Sequence, residues 1–284
     1  MAKLRKIWSA ILICFPFAAM SITAALAQTA GLPAAPGPGL TGIAHVAIRV
    51  SDLGKSRDFY EKLGFEEAFA MDQSGVPTQS FIKINDRQFI ELYPKREAAQ
   101  PIGFMHVCFE ASDLEGLNRF YISENLKPNA VRRAGAGNLL FTMTGPENQN
   151  IEYTQYLPGS KHTNDRGKHL GAHRISEEIV AVGIRMQDPS AAVTYYKEKL
   201  GFTAAQGWDA GQSWLGLPEA PGQLVEMEQQ ASDMVFQMYF SVVDLRRAGE
   251  QLKALGLKVE KHKARLSVLD PDGNRIVFVN KTPA

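Results

Sequence analysis

The feature that most constrains the fold of this chain is an internal repeat. A segment that begins at Ile48, IRVSDLGKSRDFYEKLGFEEAF, returns at Ile184 as IRMQDPSAAVTYYKEKLGFTAAQ. A shorter similarity relates VCFEASDLEGLNRFY, which begins at Val107, to MYFSVVDLRRAGEQL, which begins at Met238. Such self-similarity indicates one supersecondary unit of about 50 residues that is used four times. The four units lie at 42–94, 103–157, 177–229 and 234–281.

Each unit has the same order of predicted elements. An alternating apolar strand leads to an aspartate, a preferred helix N-cap, and a helix of about three turns follows. In the first and third units the helix is expected to end at Gly64 and Gly201, because glycine is favoured just beyond a helix C-terminus. Two or three further strands complete each unit. The four candidate capping residues are Asp52, Asp113, Asp188 and Asp244.

A strand, a crossover helix and further strands make a βαβββ module, whose crossover should be right-handed. The helices would cover one face of the sheet, and the other, concave face would be left to enclose a ligand. One module buries too little surface to be stable alone. The predicted fold class is therefore α+β, with four βαβββ modules paired into two curved eight-stranded cups.

Residues 1–27 have the features of a secretory signal peptide. A basic start precedes an apolar run at 7–20 and an A-x-A-type cleavage site at 25–27. The apolar run is short for a membrane span, and an uncleaved anchor is the alternative. Residues 28–40 are rich in glycine and proline and are predicted to form a flexible tether. We expect an exported protein, periplasmic or secreted, without stable membrane insertion after cleavage.

The charge of the chain restricts its partners. The full chain has a formal net charge of +1 at pH 7, and residues 1–27 contain three basic and no acidic residues, so removing them leaves −2. This balance argues against nucleic acid or an anionic membrane as a partner. After residue 27 the sequence contains only Cys108, so no internal disulfide is expected. The expected partner is a small-molecule substrate, bound by a monomer or a homodimer.

Two histidines occur within alternating strands at matching positions of the first two units. His45 lies in GIAHVAIRV and His106 in GFMHVCFEA, and the last strands of the same units contain Glu91 and Glu152. Because strand side chains alternate between faces, the apolar neighbours of the glutamates should face the helices, and the carboxylates should share the cup with the histidines. Two imidazoles and two carboxylates predict a site for one divalent metal ion, which is Zn, Ni, Co, Mn or Fe.

A single histidine in a strand is more often a core residue with hydrogen-bonded ring nitrogens than a metal ligand. The metal prediction therefore depends on the occurrence of the histidine–glutamate pair in two units. The equivalent positions of the third and fourth units lack most of this ligand set; they are Ala181, Gln237, Glu226 and Val277. Both complete histidine–glutamate pairs lie in adjacent units. We therefore expect the first unit to pack with the second, and the third with the fourth. The predicted organisation is a metal-site double-module domain at 41–157, a linker at 158–176 and a degenerate double-module domain at 177–284.

The linker at 158–176 is long and polar, and it contains His162, His169 and His173. We interpret it as a solvent-exposed segment between the two domains. The alternative is a lid that brings a cation or a proton donor over the metal cup.

Each unit begins with a strand, an aspartate and a helix, and two of the helices end in Leu-Gly-Phe. These features resemble the vicinal oxygen chelate superfamily, which is built from paired βαβββ modules. The superfamily includes glyoxalases, bleomycin resistance proteins and extradiol dioxygenases. The order His45, Glu91, His106, Glu152 resembles the metal ligands of glyoxalase I. The resemblance implies a lyase/isomerase that acts on a 2-oxoaldehyde hemithioacetal, or a similar small oxygenated substrate, through a metal-bound enediolate. By the same resemblance Glu152 would be the base as well as a ligand, and Glu91 could share that work.

Two further residues are candidates for substrate binding. Arg49 matches, in the resemblance to glyoxalase I, an arginine that helps to hold an anionic substrate. Its alternative roles are a partner for Glu110 and a surface charge. Cys108 shares a strand face with His106 and could line the cup, although such a cysteine is more often a small buried apolar residue.

Two alternative functions stay open. A non-catalytic protein of this fold would bind or sequester a small molecule in apolar cups and would not need the four-ligand set. A ring-cleaving dioxygenase of the superfamily uses two histidines and one glutamate on Fe or Mn, usually in the second pair of modules. That pair contains Ala181, Gln237 and Val277 at the corresponding positions, which disfavours this alternative.

Overall fold

The four repeats fold as four successive βαβββ modules. The computed structural model describes residues 39–209, 213–230 and 236–281. The predicted signal peptide and nearly all of the predicted tether lie outside these residues. The first strand begins at Leu40, the last residue that the sequence assigned to the tether, and Leu40 is buried.

The first two modules supply eight strands of the described chain. Module one consists of β1 (Leu40–Val50), α1 (Leu53–Lys62), β2 (Glu66–Gln73), β3 (Val76–Lys83) and β4 (Phe89–Pro94). Module two consists of β5 (Gly103–Ala111), α2 (Leu114–Ser123), β6 (Arg132–Arg133), β7 (Leu139–Thr144), a short 3-10 turn (Pro146–Asn148) and β8 (Asn150–Gln155). A single helical turn, α3 (Lys161–Asn164), follows in the connection to module three.

The last two modules repeat this order. Module three consists of β9 (Ile179–Met186), α4 (Pro189–Leu200), β10 (Thr203–Ala205), β11 (Ser213–Leu217) and β12 (Ala220–Gln229). Module four consists of β13 (Gln237–Val242), α5 (Leu245–Ala254), β14 (Glu260–His262), β15 (Arg265–Leu269) and β16 (Arg275–Asn280). The longest helix of the described residues has 12 residues, and no helix among them is both long and apolar enough to cross a bilayer.

The predicted helix caps are confirmed in all four modules. Each aspartate side chain accepts a hydrogen bond from a backbone N–H of the first turn, which satisfies a donor that the helix itself leaves unpaired. The pairs are Asp52 with Lys55, Asp113 with Gly116, Asp188 with Ala191, and Asp244 with Arg246 and Arg247. Gly64 and Gly201 follow their helices with φ values of +85° and +78°, a conformation that glycine adopts without strain.

The strands form two eight-stranded mixed sheets, one for each pair of adjacent modules. The strand orders are β2-β3-β4-β1-β5-β8-β7-β6 and β10-β11-β12-β9-β13-β16-β15-β14. In the centre of each sheet the first strands of two modules run antiparallel, and each pairs in parallel with the last strand of its own module. The α+β class, the two eight-stranded sheets and the predicted pairing of adjacent modules are therefore confirmed.

The two faces of the first sheet pack differently. One face contributes Val46, Ile90 and Ile151 to a hydrophobic core that also contains residues of the helices. The other face carries a separate apolar cluster that includes Phe89 and Cys108. Alternation along each strand therefore directs apolar residues to the helices and places the intervening residues in the cup, as the sequence predicts.

The segment between modules two and three, residues 158–176, is named the strap below. The expectation that it is a solvent-exposed connector is wrong for part of its length. Ser160, His162 and Asp165 are buried, whereas residues 166–169 are exposed. The strap is polar in composition, but Lys83 on β3 binds its polar groups and holds it against the first sheet.

Candidate metal site in the first sheet

Strand register brings the four predicted ligands into two adjacent rows across the middle of the first sheet. At the centre of each row is a small residue on the first strand of one module. It pairs on one side with a glutamate on the last strand of its own module, and on the other side with a histidine on the first strand of the other module. The first row is Glu91, Ala47 and His106, and the second row is Glu152, Cys108 and His45. The two rows are two residues apart along β1, so their side chains project from the same face of the sheet.

Three of the four side chains converge on one point. The Nε2 atom of His45 lies 3.2 Å from the Nε2 atom of His106 and 3.3 Å from Oε1 of Glu152. One donor atom from each of these three residues lies within 4.8 Å of the others. All three are buried, with exposures of 3% for His45, 6% for His106 and 9% for Glu152.

These separations suit a shared divalent ion. Two donors that each lie about 2.1 Å from one ion, at angles of about 90–110°, are about 3.0–3.4 Å apart. Hydrogen bonding alone explains the arrangement less well, because the single Nε2 atom of His45 faces both the nitrogen of His106 and the carboxylate of Glu152. The nitrogen and oxygen donors resemble those of catalytic sites, which keep coordination positions open, and differ from the thiolates of structural zinc sites.

Glu91 lies beside this three-donor group, on the other side of the His45 ring. Its Oε1 atom is 3.4 Å from Nδ1 of His45, and Tyr93 Oη donates a hydrogen bond of 2.9 Å to its Oε2 atom. Nδ1 of His45 has no hydrogen-bond partner among the described residues. A carboxylate beside the distal nitrogen of a ligating histidine orients that ring in many metal sites. The role of Glu91 as a fourth ligand stays a prediction.

The two carboxylates have opposite electrostatic tendencies. Burial raises the pKa of Glu91, and the charge of His45 offsets this only in part. Burial also acts to raise the pKa of Glu152, but the hydrogen bond and charge of His45, together with the charge of His106, outweigh it and lower that pKa. Burial lowers the pKa of His106 to about 4, so its imidazole is neutral near pH 7 and its lone pair can bind a metal.

The two predicted substrate-binding residues lie in different surroundings. Arg49 donates a hydrogen bond of 3.1 Å from Nη1 to the carbonyl oxygen of Pro101. No ion pair joins Arg49 to Glu110 among the described residues, and Glu110 pairs with Arg87 at 2.7 Å. The contact of Arg49 with substrate stays a prediction.

Cys108 is completely buried in the second row of the site, between Glu152 and His45. Burial raises its pKa, and the charges of Glu152 and Glu91 raise it further, so the thiol is protonated and is a poor nucleophile. It belongs to the apolar cluster on the concave face. Its contact with substrate stays a prediction.

Sequence reasoning missed the aromatic wall beside the metal donors. Phe89 pairs with His45 in the register of β1 and β4, and Phe81 pairs with Glu91 in the register of β3 and β4. Phe69 stacks on Phe81 with ring centroids 4.4 Å apart. The sequence could have indicated this wall through the alternation of side chains along β4. Phe89 lies two residues before Glu91 and therefore shares its face of the sheet.

The second sheet carries different side chains at the equivalent positions. Gly183 pairs with both Glu226 and Gln237, and Tyr239 pairs with both Ala181 and Val277. This register repeats that of the first sheet position by position. The positions that the sequence aligns with the ligand set are therefore equivalent in strand register, and of these four positions Glu226 alone has a carboxylate.

Glu226 is the one retained carboxylate of that set, and it is completely buried. Its Oε2 atom accepts a hydrogen bond from Tyr239, and its Oε1 atom has no hydrogen-bond partner among the described residues. Burial, and then the charge of Glu228, raise its pKa above the ordinary carboxyl range. The folded protein therefore holds this proton more tightly than the unfolded chain does.

This raised pKa predicts a pH-dependent effect of Glu226→Gln. The stability that protonated Glu226 contributes is fully present below about pH 4.5 and is lost as the pH rises, because folding then opposes ionisation. We expect the variant to be more stable than wild type by about 1–3 kcal/mol at pH 8, with a much smaller difference at pH 5. Urea unfolding at both pH values measures this, with the exposed Glu198→Gln as control. An equal difference at the two pH values would contradict the prediction.

Comparison with known proteins places the chain among proteins of similar architecture. A model of the Glyoxalase/Bleomycin resistance protein/Dioxygenase superfamily matches residues 42–153 and 178–278. A search of curated proteins by sequence found no match.

Solved structures of similar fold include dioxygenases and a glyoxalase. The 2,3-dioxygenase LapB from Pseudomonas sp. KL28 is 15% identical with a TM-score of 0.63, over 86% of this chain and 93% of that one. Homoprotocatechuate 2,3-dioxygenase from Arthrobacter globiformis is 16% identical with a TM-score of 0.63, over 87% and 82%. The Mn(II)-bound glyoxalase from Novosphingobium aromaticivorans is 15% identical with a TM-score of 0.64, over 86% and 83%. At these identities the likeness shows the shared fold.

Proposed function

The chain belongs to the Glyoxalase/Bleomycin resistance protein/Dioxygenase superfamily, and on that premise we propose that it is a divalent-metal-dependent enzyme acting on a small oxygenated substrate. The observation that carries the proposal is the convergence of two imidazole nitrogens and one carboxylate oxygen at 3.2 and 3.3 Å. His45, His106 and Glu152 would hold the ion. The identity of the metal is left among Zn, Ni, Co, Mn and Fe.

The proposed reaction is a glyoxalase-like isomerisation, in which a proton moves between neighbouring carbons. The ion would polarise adjacent substrate oxygens and stabilise negative charge that develops on them. Glu91 is suited to take and return the proton, since it lies outside the three-donor group and burial raises its pKa. Tyr93 holds one of its oxygens and leaves the other facing His45. Glu152, whose pKa is lowered by His45 and His106, would be the anionic ligand.

A second candidate is a ring-cleaving dioxygenase with its site in the first sheet. The specific observation that favours it is the composition of the convergent group, because two histidines and one carboxylate with open positions are typical of non-haem Fe(II) oxygenases. The sequence argument against this candidate concerned the second pair of modules and not the first. In the first sheet Glu91 lies on the Nδ1 side of His45, so Glu152 is the glutamate of the convergent group.

The two reactions are separated by assaying one preparation in two ways. Protein loaded in turn with each of the five metals is tested for isomerisation of the methylglyoxal–glutathione hemithioacetal and for catechol-dependent oxygen uptake. We expect isomerisation, and a loss of about 10²–10⁴-fold in the rate for Glu152→Gln and for Glu91→Gln. The exposed Glu115→Gln serves as the control. Oxygen uptake without isomerisation would select the second candidate, and a metal-bound protein without either activity would contradict both reactions.

A further inference from the structure

His162, on the strap, is a buried imidazole that the proposed metal site does not use. Its exposure is 3%, and neither of its ring nitrogens has a hydrogen-bond partner among the described residues. Its ring contacts four aromatic rings, with centroid distances between 4.7 and 5.5 Å. These are Phe69 at 5.0 Å, Phe81 at 5.5 Å, Phe89 at 4.9 Å and Tyr156 at 4.7 Å.

These aromatic contacts place His162 against two side chains whose residues pair with His45 and Glu91 across the sheet. Phe89 is the cross-strand neighbour of His45, and Phe81 is the cross-strand neighbour of Glu91. His45 and Glu152 both act electrostatically on the pKa of His162. The imidazole therefore lies on the same face of the first sheet as the three convergent donors.

The chemistry of imidazole indicates that His162 has a partner in the working protein. A neutral imidazole has one N–H donor and one acceptor nitrogen, and burying both without partners is unfavourable. Burial lowers the pKa of His162 to about 3, so the ring is neutral near pH 7. Phenylalanine would fill the same aromatic surroundings without unpaired polar atoms, so packing alone does not account for a histidine here.

The strap is held firmly enough to position this ring. The ammonium group of Lys83 lies 2.6 Å from the carbonyl oxygen of Asp165, 2.9 Å from its carboxylate and 2.8 Å from the carbonyl oxygen of Lys168. Ser160 caps α3 by accepting a hydrogen bond from the N–H of Thr163. His162 therefore lies on a short helical turn that is fixed on both sides.

We propose that His162 is a substrate-contacting residue of the first cup and that its imidazole forms a hydrogen bond with a substrate oxygen. The proposal rests on the proposed function, because it takes the substrate to lie against His45, His106 and Glu152. The strap thus contributes a wall of the substrate site, from a segment outside both modules of the first sheet.

The test compares His162→Phe with His173→Phe, the same substitution at an exposed position of the strap. Each protein is loaded with Co(II), and acetohydroxamate, which carries two adjacent oxygens, is titrated while the cobalt absorption spectrum is followed. We expect His162→Phe to retain Co(II), to melt at a higher temperature than wild type and to bind acetohydroxamate about tenfold more weakly. His162→Asn, which keeps a donor and an acceptor, should recover part of the affinity.

The outcomes distinguish a failure of this proposal from a failure of the proposed function. A Co(II)-loaded His162→Phe protein whose affinity for acetohydroxamate lies within about twofold of wild type, or is tighter, would overturn the role of His162 alone. A wild-type protein that binds no Co(II) would overturn the proposed function and this inference together. Weaker binding in both His162→Phe and His173→Phe would also overturn the inference, because the loss would then be a general effect of altering the strap.

Discussion

The double variant His45→Ala/His106→Ala is expected to bind less than about a tenth of the metal that the wild-type protein binds. The substitution removes both imidazole nitrogens of the convergent group and leaves Glu152 as its only remaining donor. A single buried carboxylate has neither the ligand number nor the ligand type that retains a first-row transition metal. Metal analysis after gel filtration measures the ion content per chain.

The matched control is His173→Ala/His262→Ala, which also removes two histidines but at exposed positions. It should retain the metal content of wild type. A chelator should lower the melting temperature of the wild type and of this control, because an ion bound only by the folded state stabilises it. The chelator should leave the His45→Ala/His106→Ala protein unchanged. Equal metal content in the two double variants would exclude the site.

Lys83→Met is expected to lower the free energy of unfolding by about 3–5 kcal/mol. The Lys83 side chain is 0% exposed, and its ammonium group binds Asp165 and also lies 2.8 Å from the carboxylate of Asp86. Asp165 is itself buried, so removal of the lysine leaves its carboxylate without this cation. Breaking a buried ion pair by deleting one partner costs far more than deleting an exposed charge. Urea unfolding measures the difference.

Lys55→Met is the control, because the Lys55 side chain is 75% exposed and its ion pair with Asp52 is 3.8 Å long. It should change the free energy of unfolding by no more than about 0.5 kcal/mol. The double variant Lys83→Met/Asp165→Asn should recover part of the lost stability, since it no longer buries an uncompensated charge. A change below about 1 kcal/mol for Lys83→Met would show that the strap is not held by this lysine.

The architecture was predictable because its signals are local. An aspartate caps a helix through its own first turn, and Gly64 ends one through its own backbone, so neither depends on distant residues. The alternation of strand residues likewise placed His45 and Glu91 on one face before any pairing was known. The boundaries of the signal peptide at 27 and of the linker at 158 and 176 stay predictions.

Part of the candidate site was not predictable, because it depends on side-chain directions. Register equivalence placed Glu91 and Glu152 in corresponding positions, yet Glu152 faces Nε2 of His45 and Glu91 faces Nδ1. The difference follows from neighbours outside the repeat pattern. Tyr93, two residues after Glu91, binds that carboxylate, whereas the residue two positions after Glu152 is Thr154. The repeat shows which residues correspond, but it does not show how each side chain packs.

The sequence by itself determined four modules, their adjacent pairing and the one cup that retains the histidine–glutamate pairs, because these follow from periodicity and repetition along the chain. Only the tertiary structure decided which donors converge and that the strap closes against the first sheet. Its polar residues indicated a solvent-exposed segment, but Lys83, 82 residues before Asp165, binds them in a buried position. A contact between such distant residues produces no periodic pattern in the sequence. It holds the strap so that His162 packs on the face of the first sheet that carries the candidate metal site.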